Sequence, residues 1–306
     1  MIQNKVIDYL VEKTGVQQRA LIEKDIILHR ILFELLLDKK FDAEYVFKGG
    51  TCLMKCHLGY YRFSEDLDFT WINQRVLKNK SEKQIRALLS KEITSLSLLL
   101  EKISEKIGLD FKKDKQDKRY FEFGGSNTYT TFKLWYKSNE TNESSFIKIQ
   151  INYREHFIYP VVKKTARSMI DKNIAKEFSF VFPDESKFLL ENIRLNAYDI
   201  REILVEKMRA ILTRKGVKPR DFVDIYMIER KENLKVEEFE SEIISKVKDA
   251  LKFEKYKFNL KNKLTNKPIV QLREEEYLLL KPLGDDFSVF LERINKFIEK
   301  LLKKLL

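Results

Sequence analysis

Two neighbouring stretches bring together the residue types that handle phosphate and metal: Phe47-Lys48-Gly49-Gly50-Thr51-Cys52-Leu53 and Arg62-Phe63-Ser64-Glu65-Asp66-Leu67-Asp68-Phe69. A glycine pair lets main-chain N–H groups approach a polyphosphate at the start of a helix. Asp66 and Asp68, two apart on a strand, fall on one face and can share a divalent cation. Two ionised carboxylates this close repel each other unless a cation neutralises them. Mg2+, or Mn2+ in its place, is the expected cofactor, because such a cation takes oxygen ligands, accepts one or two carboxylates and completes its shell with water and substrate phosphate. The chemistry expected of this set is nucleotidyl transfer from an NTP. Gly49, Gly50, Thr51 and Ser64 are the expected nucleotide contacts, Asp66 and Asp68 the metal ligands and catalytic residues, with Arg62 in support.

The elements that must position these residues are legible from pattern. Tyr45-Val46-Phe47, between Glu44 and Lys48, predicts a short buried strand; Gly49-Gly50 breaks it, and a helical stretch opens from Thr51 to His57. Leu67 to Trp71 predicts a second strand whose period of two sends Leu67 and Phe69 to one face and Asp66 and Asp68 to the other, with Arg62 and Ser64 in the aspartates' parity. Gly50 precedes Asp66 by sixteen residues, room for one short helix and a turn. Downstream, Asp199 followed by Glu202 predicts a capping box on a helix from Ile200 to Arg214, with Gly216 past its end. Lys207 then lies mid-helix on the side of Ile203, Ala210 and Arg214. Pro219 starts a further helix and puts Asp221 and Asp224 one turn apart. Two readings of this group stay open: Lys207 grips the triphosphate and Asp221 or Asp224 orients it, or the residues form a buried salt-bridge cluster linking two helices.

At these residues the chain resembles a known family. Gly49-Gly50-Thr51 followed by Arg62 to Phe69 is similar to the first motif of the AbiEii/AbiGii nucleotidyltransferase-like toxins, a branch of the polymerase-beta-type nucleotidyltransferases. Ile22-Glu23-Lys24-Asp25 resembles that family's N-terminal signature, and Glu206-Lys207-Met208-Arg209-Ala210, Arg214 and Pro219 to Tyr226 resemble its last motif. The resemblance implies a toxin of toxin–antitoxin or phage-defence type that transfers a nucleoside monophosphate from an NTP to RNA, with tRNA the expected acceptor and a separate antitoxin as partner. It further implies catalytic roles for Lys207 and Asp224, support from Arg220 and Asp221, and a nucleotide contact from Lys148. One departure stands out. The superfamily pattern adds a third acidic residue on a later strand, and on the candidate strand Phe146 to Asn152 it is Gln150 that occupies the expected place. A glutamine carbonyl can ligate a metal but cannot take a proton. Glu155 and His156 follow closely as substitutes. The competing readings are nucleotidylation of a protein or small molecule, and an inactive RNA-binding module.

The chain has 306 residues, and 59 Lys and Arg against 47 Asp and Glu give a formal charge of +12, which favours a polyanion such as RNA. A generally Lys-rich, soluble surface has the same composition. No stretch approaches the roughly 18 uncharged apolar residues of a membrane span, and no apolar leader follows Met1, so a cytoplasmic protein without membrane contact is expected. Cys52 and Cys56 are read as packing residues, because His57 beside them leaves a zinc site one ligand short. His29 is expected on a helix surface.

Organisation follows from periodicity. An α/β domain over residues 1–185, a nucleotidyltransferase-type mixed sheet with covering helices, is expected to precede a mainly helical domain over residues 186–306. Helices are predicted over Lys24–Leu37 and over Ser81–Ile107 with Ser81 as N-cap; strands over Tyr120–Phe123, Tyr129–Tyr136, Phe146–Asn152 and Phe178–Phe182; turns at Gly124-Gly125 and Ser138–Ser145. Lys112 to Arg119 is a charge run, most simply a solvated turn, that could extend an RNA surface. Phe253, Tyr256 and Phe258 among lysines suit either base stacking or the buried side of a helix, and Phe287 to Leu306 predicts a helix packed on the helical domain.

Overall fold

Strand alternation organises the first two thirds of the chain. In the computed structural model, which describes residues 4–124, 128–265 and 276–306, seven strands build one sheet: β1 (Tyr45–Lys48), β2 (Asp66–Trp71), β3 (Phe121–Gly124), β4 (Tyr129–Lys137), β5 (Ser144–Asn152), β6 (Val162–Ala166) and β7 (Ile193–Ala197). Their order is β3-β4-β5-β2-β1-β7-β6. The sheet is mixed, as expected: β2 runs parallel to β5 and β1 parallel to β7, while the other neighbours are antiparallel. One face is apolar. Phe47, Leu67, Phe69, Phe132, Leu134, Ile147, Ile149 and Ile151 are all buried there, each worth about 1.5–3 kcal/mol of transfer free energy.

Helices α2 (Arg19–Leu36) and α5 (Glu82–Ile107) cover the sheet and pack on each other. In α2, Ile22, Ile26, Leu28, Ile31, Leu32 and Leu35 are fully buried, so truncating any one of them to Ala would cost about 2–5 kcal/mol. Ser81 caps α5 as the sequence predicts: its hydroxyl accepts from Gln84 N, and the Gln84 side chain accepts from Ser81 N. The remaining elements of this region are α1 (Asn4–Thr14), α3 (Lys39–Glu44), α4 (Gly49–Cys52, running on into a π-helical turn at Leu53–Leu58), α6 (Lys172–Val181) and α7 (Pro183–Leu189).

Two expectations are corrected here, and two strands are added. Phe178–Phe182 is not a strand but the end of α6, whose N-terminus Asp171 caps by accepting from Asn173 and Ile174 N–H. Phe178 packs between Tyr9 and Phe182 while Phe180 is 89% exposed, a spacing that a five-residue aromatic run could not reveal. His29 is not on a surface. It is completely buried in α2, where burial and then the nearby Lys55 hold its pKa well below the usual imidazole range. Strands β6 and β7 were not anticipated, since Val162-Lys163-Lys164-Thr165-Ala166 and Ile193-Arg194-Leu195-Asn196-Ala197 are short and carry charge.

The chain divides into two compact units, Met1–Glu155 with Val161–Ala197, and His156–Pro160 with Tyr198–Leu306. The second is helical: α8 (Ile200–Thr213), α9 (Pro219–Glu232), α10 (Glu240–Ala250), α11 (Glu254–Thr265) and α12 (Phe287–Leu305). Asp199 caps α8 by accepting from Arg201 N, but Glu202 does not complete the predicted box. Its buried carboxylate accepts from Ile158 and Tyr159 N–H and pairs with Lys246 of α10, pinning the 156–160 segment to this unit. Helix α12 packs on α9, α10 and α11, with Phe290 against Tyr226 and Arg293 paired with Glu229 and Glu237. Helix α11 buries Leu260 rather than its aromatics; Phe253, just before it, and Phe258 are exposed. Part of the Gly124-Gly125 turn lies outside the described residues. Among the described residues no helix is long and apolar enough to cross a membrane.

Candidate active site

The glycine pair is required by the residues packed against it. Gly49 has φ +78°, and a Cβ there would overlap the Asp68 carboxylate. A Cβ on Gly50 would overlap the Arg62 guanidinium and come within 3.1 Å of Ser64 Oγ. The two glycines thus make room for Asp68 and Arg62 side by side. Arg62 is buried and donates to its neighbour's carbonyl, Phe63 O, at 2.6 Å. Ser64 is also buried. Thr51, expected as a nucleotide contact, is placed differently: it has no exposed surface, and its hydroxyl donates to Asp66 O, tying the start of α4 to the aspartate strand. Cys52 is buried and Cys56 half-buried, both as free thiols.

Register then sets the neighbours of the two aspartates. Opposite Asp68 stand Lys48 of β1 and Gln150 of β5, with Thr131 of β4 beyond. Opposite Asp66 stands Lys148, with Lys133 beyond. Gln150 is therefore beside Asp68, at the place where the sequence raised the question of a third acid, and its amide donates to Thr131 Oγ1 at 3.3 Å. This face of the sheet is polar and half-exposed at Asp66, Asp68, Lys148 and Gln150. Two carboxylates joined by a neutral amide oxygen suit a hard divalent cation that keeps water ligands. Among the described residues no group of three or more His, Cys, Asp or Glu gathers to hold a metal.

Glu155 takes a different role from that of a third ligand. Its carboxylate, 9% exposed, pairs with Lys48 at 3.0 Å and accepts from Asn152 Nδ2 at 2.8 Å, while its own N–H donates to Gln74 Oε1 at 2.7 Å. Lys48, the cross-strand neighbour of Asp68, is thus held in an ion pair with Glu155. Sequence spacing gave no signal for that pairing, because the two residues lie 107 positions apart and meet only through the sheet. His156 is exposed in the second unit, with Nε2 3.5 Å from Ser245 Oγ.

The N-terminal Glu-Lys-Asp stretch is structural in its contacts. Glu23 accepts from Ser138 Oγ and Asn139 N, Lys24 pairs with Glu65 at 2.7 Å, and Asp25 pairs with Lys55 at 2.8 Å and accepts from Tyr60 Oη. Glu65 stands next to Asp66, so Lys24 helps to anchor the aspartate strand.

In the second unit, Lys207 projects from α8 onto the first turns of α9, at 2.8 Å from Asp221 and 2.6 Å from Asp224. Arg214 adds a second cation to Asp221 at 2.5 Å. Burial by itself would raise the Asp221 pKa, but Lys207 and then Arg214 outweigh it and hold the carboxyl below its usual range. The salt-bridge cluster that the sequence allowed is therefore formed, with Lys207 12% exposed at its rim. Arg220 is half-buried on the same turn of α9.

Comparison with known proteins adds the lineage. No curated protein matches the chain. Two solved structures from Helicobacter pylori resemble it over nearly their whole length: JHP933, at 17% identity and TM-score 0.44, covering 94% of this chain and 95% of that one, and a candidate nucleotidyltransferase, at 18% identity and TM-score 0.43, covering 95% and 99%. A family model describing the nucleotidyl transferase AbiEii toxin of type IV toxin–antitoxin systems matches residues 30–303. That span takes in both aspartates and the Lys207 cluster, and the chain belongs to the AbiEii nucleotidyl transferase toxin family.

Proposed function

We propose that this toxin transfers a nucleoside monophosphate from an NTP to RNA in the cytoplasm, tRNA being the expected acceptor, with Mg2+ or Mn2+ on Asp66 and Asp68. The observation that carries the reading is the register of β1, β2 and β5, which aligns Asp66, Asp68, Lys148 and Gln150 on one polar face. When bound there, the cation would neutralise charge on the phosphates. In the reaction, an acceptor hydroxyl oxygen bonds to the α-phosphorus as the bond from that phosphorus to the β-phosphate oxygen breaks. Pyrophosphate leaves, and the hydroxyl proton passes to water or to the aspartate pair. Gly49, Gly50, Ser64 and Lys148 are the proposed nucleotide contacts around the aspartates, with Arg62 packed behind Gly50 in support. Lys207 binds triphosphate oxygens, and Asp221 and Asp224 fix its ammonium group, with Arg220 beside them. The net charge of +12 supports a polyanionic acceptor. A type IV antitoxin is the partner protein that the family implies.

A second reading, an RNA-binding module without transfer, is favoured by one residue: Gln150 beside Asp68 cannot take a proton. Incubation with each labelled NTP, Mg2+, and total RNA or total protein separates the cases. Label in RNA is expected. Label in protein would replace the acceptor, and label in neither would favour the inactive module.

A further inference from the structure

The polar face of the sheet continues beyond the aspartates, and its composition changes in an ordered way. Successive cross-strand rows read Thr131 and Gln150, then Lys133 and Lys148, then Trp135 and Phe146, then Lys137 and Ser144. Same-face residues on one strand are about 6.7 Å apart, so the aromatic row begins one such step from the row that contains Asp66. Lys133 and Lys148 stand directly opposite each other. Like charges in that position destabilise a sheet unless an anion joins them. Both ammonium groups lean over the Phe146 ring, at 5.8 Å and 5.6 Å from its centroid. Among the described residues the carboxylate partner of Lys133 is Glu122; the Lys133 side chain is 14% exposed and that of Glu122 57%, so the carboxylate is the solvent-facing half of the pair. Trp135 and Phe146 meet with ring centroids 4.6 Å apart and are both half-exposed. Arg119, the last residue of the charge run at 112–119, lies over the indole at 4.4 Å.

Cations alternating with aromatic rings on a strand pair are the arrangement that holds a single-stranded nucleic acid: rings stack bases without regard to sequence, and lysines take the phosphates between them. Resting on the RNA-acceptor reading above, we infer that the face of β4 and β5 carrying Lys133, Trp135, Phe146 and Lys137 is the track for the acceptor strand. A base stacks at the Trp135/Phe146 row and a backbone phosphate replaces Glu122 on Lys133. Lys148, between this track and Asp66, is where acceptor and nucleotide phosphates converge.

The test is binding of a short fluorescein-labelled single-stranded RNA, followed by anisotropy across a KCl series, in wild type, Lys133→Gln, Lys133→Arg and Trp135→Leu. The expected result for Lys133→Gln is a log K against log salt slope shallower by about 0.7, with Lys133→Arg restoring it. Trp135→Leu should weaken RNA binding by roughly 5- to 100-fold at unchanged slope. NTP affinity and melting temperature should stay at wild-type values in all three. RNA binding by wild type with no change in slope or affinity in the variants overturns the track and leaves the acceptor reading intact. Absence of RNA binding by wild type at low salt overturns the acceptor reading itself. A lowered melting temperature in Lys133→Gln, with RNA binding reduced only in proportion, would show a structural lysine and also overturn the track.

Discussion

The two charged clusters of this toxin are built on opposite principles. In the sheet unit, Asp66 and Asp68 sit half-exposed on a polar face, held in place from behind by Thr51, by the Gly49-Gly50 backbone and by the register with β5. In the helical unit, Lys207, Arg214, Asp221 and Asp224 neutralise one another, and both carboxylates are buried. The first arrangement spends backbone and packing to present charge; the second uses charge to join two helices. A residue of the first kind should therefore show itself in turnover, and one of the second kind in stability as well.

The sharpest contrast is expected at the aspartates. Asp66→Asn or Asp68→Asn should lower nucleotidyl transfer by about 10³-fold or more, because metal-centred charge stabilisation is commonly worth several kcal/mol, while the melting temperature hardly changes. Equal turnover in both variants would remove the distinction between the clusters. Lys207→Met tests the other side. It strands two buried carboxylates and should cost about 3–5 kcal/mol by denaturant titration, together with a loss of NTP affinity. If stability falls and NTP affinity does not, the cluster is purely structural.

A smaller effect is expected at Gly49→Ala, which combines a φ of +78° with an overlap onto Asp68. Strain of about 1–2 kcal/mol should appear in the unfolding free energy, and turnover should fall further than stability does because the carboxylate is displaced. A stability loss with normal turnover would mean that Asp68 can move without consequence. The smallest effect is pH-dependent. His29 is buried with its pKa depressed, so the native state binds fewer protons than the unfolded chain; its contribution to stability is present above the unfolded value near pH 6.5 and is lost as pH falls below it. The loss should reach at most about 1.4 kcal/mol per pH unit, and His29→Phe should flatten that part of the stability curve. Asp221 has the same sign in a lower window: its depressed pKa stabilises the fold above the ordinary carboxylate range near pH 4, and the contribution disappears as more acid conditions protonate it. An unchanged acid limb in Asp221→Asn would contradict that.

Local rules carried the sequence reading a long way. A glycine pair after an apolar triplet, a two-residue period at Asp66 to Phe69, Ser81 before a helical run and Pro219 at the start of another helix each specify backbone within a few residues, and each is found as predicted. So are the helical nature of the C-terminal unit and the inward face of α12. What failed lay where short patterns are ambiguous or where a partner comes from far along the chain. Phe178 to Phe182 alternates well enough for a strand, yet it closes a helix that Asp171 caps and that packs Phe178 and Phe182 on Tyr9. Glu202 has the spacing of a capping residue, yet a buried lysine from α10 and two backbone donors at 158 and 159 draw it away. Gln150 could be named from the sequence as the residue on the later strand, but that it stands beside Asp68 depends on the parallel register of β5 with the sequence-distant β2, and that Lys133 faces Lys148 depends on the antiparallel register of β4 with β5. Sequence by itself determined which residues carry charge and on which side of their own element they lie, because those follow from covalent geometry and periodicity. Tertiary structure alone decided which charges meet, since strand order and register are set by burying one whole face of the sheet at once.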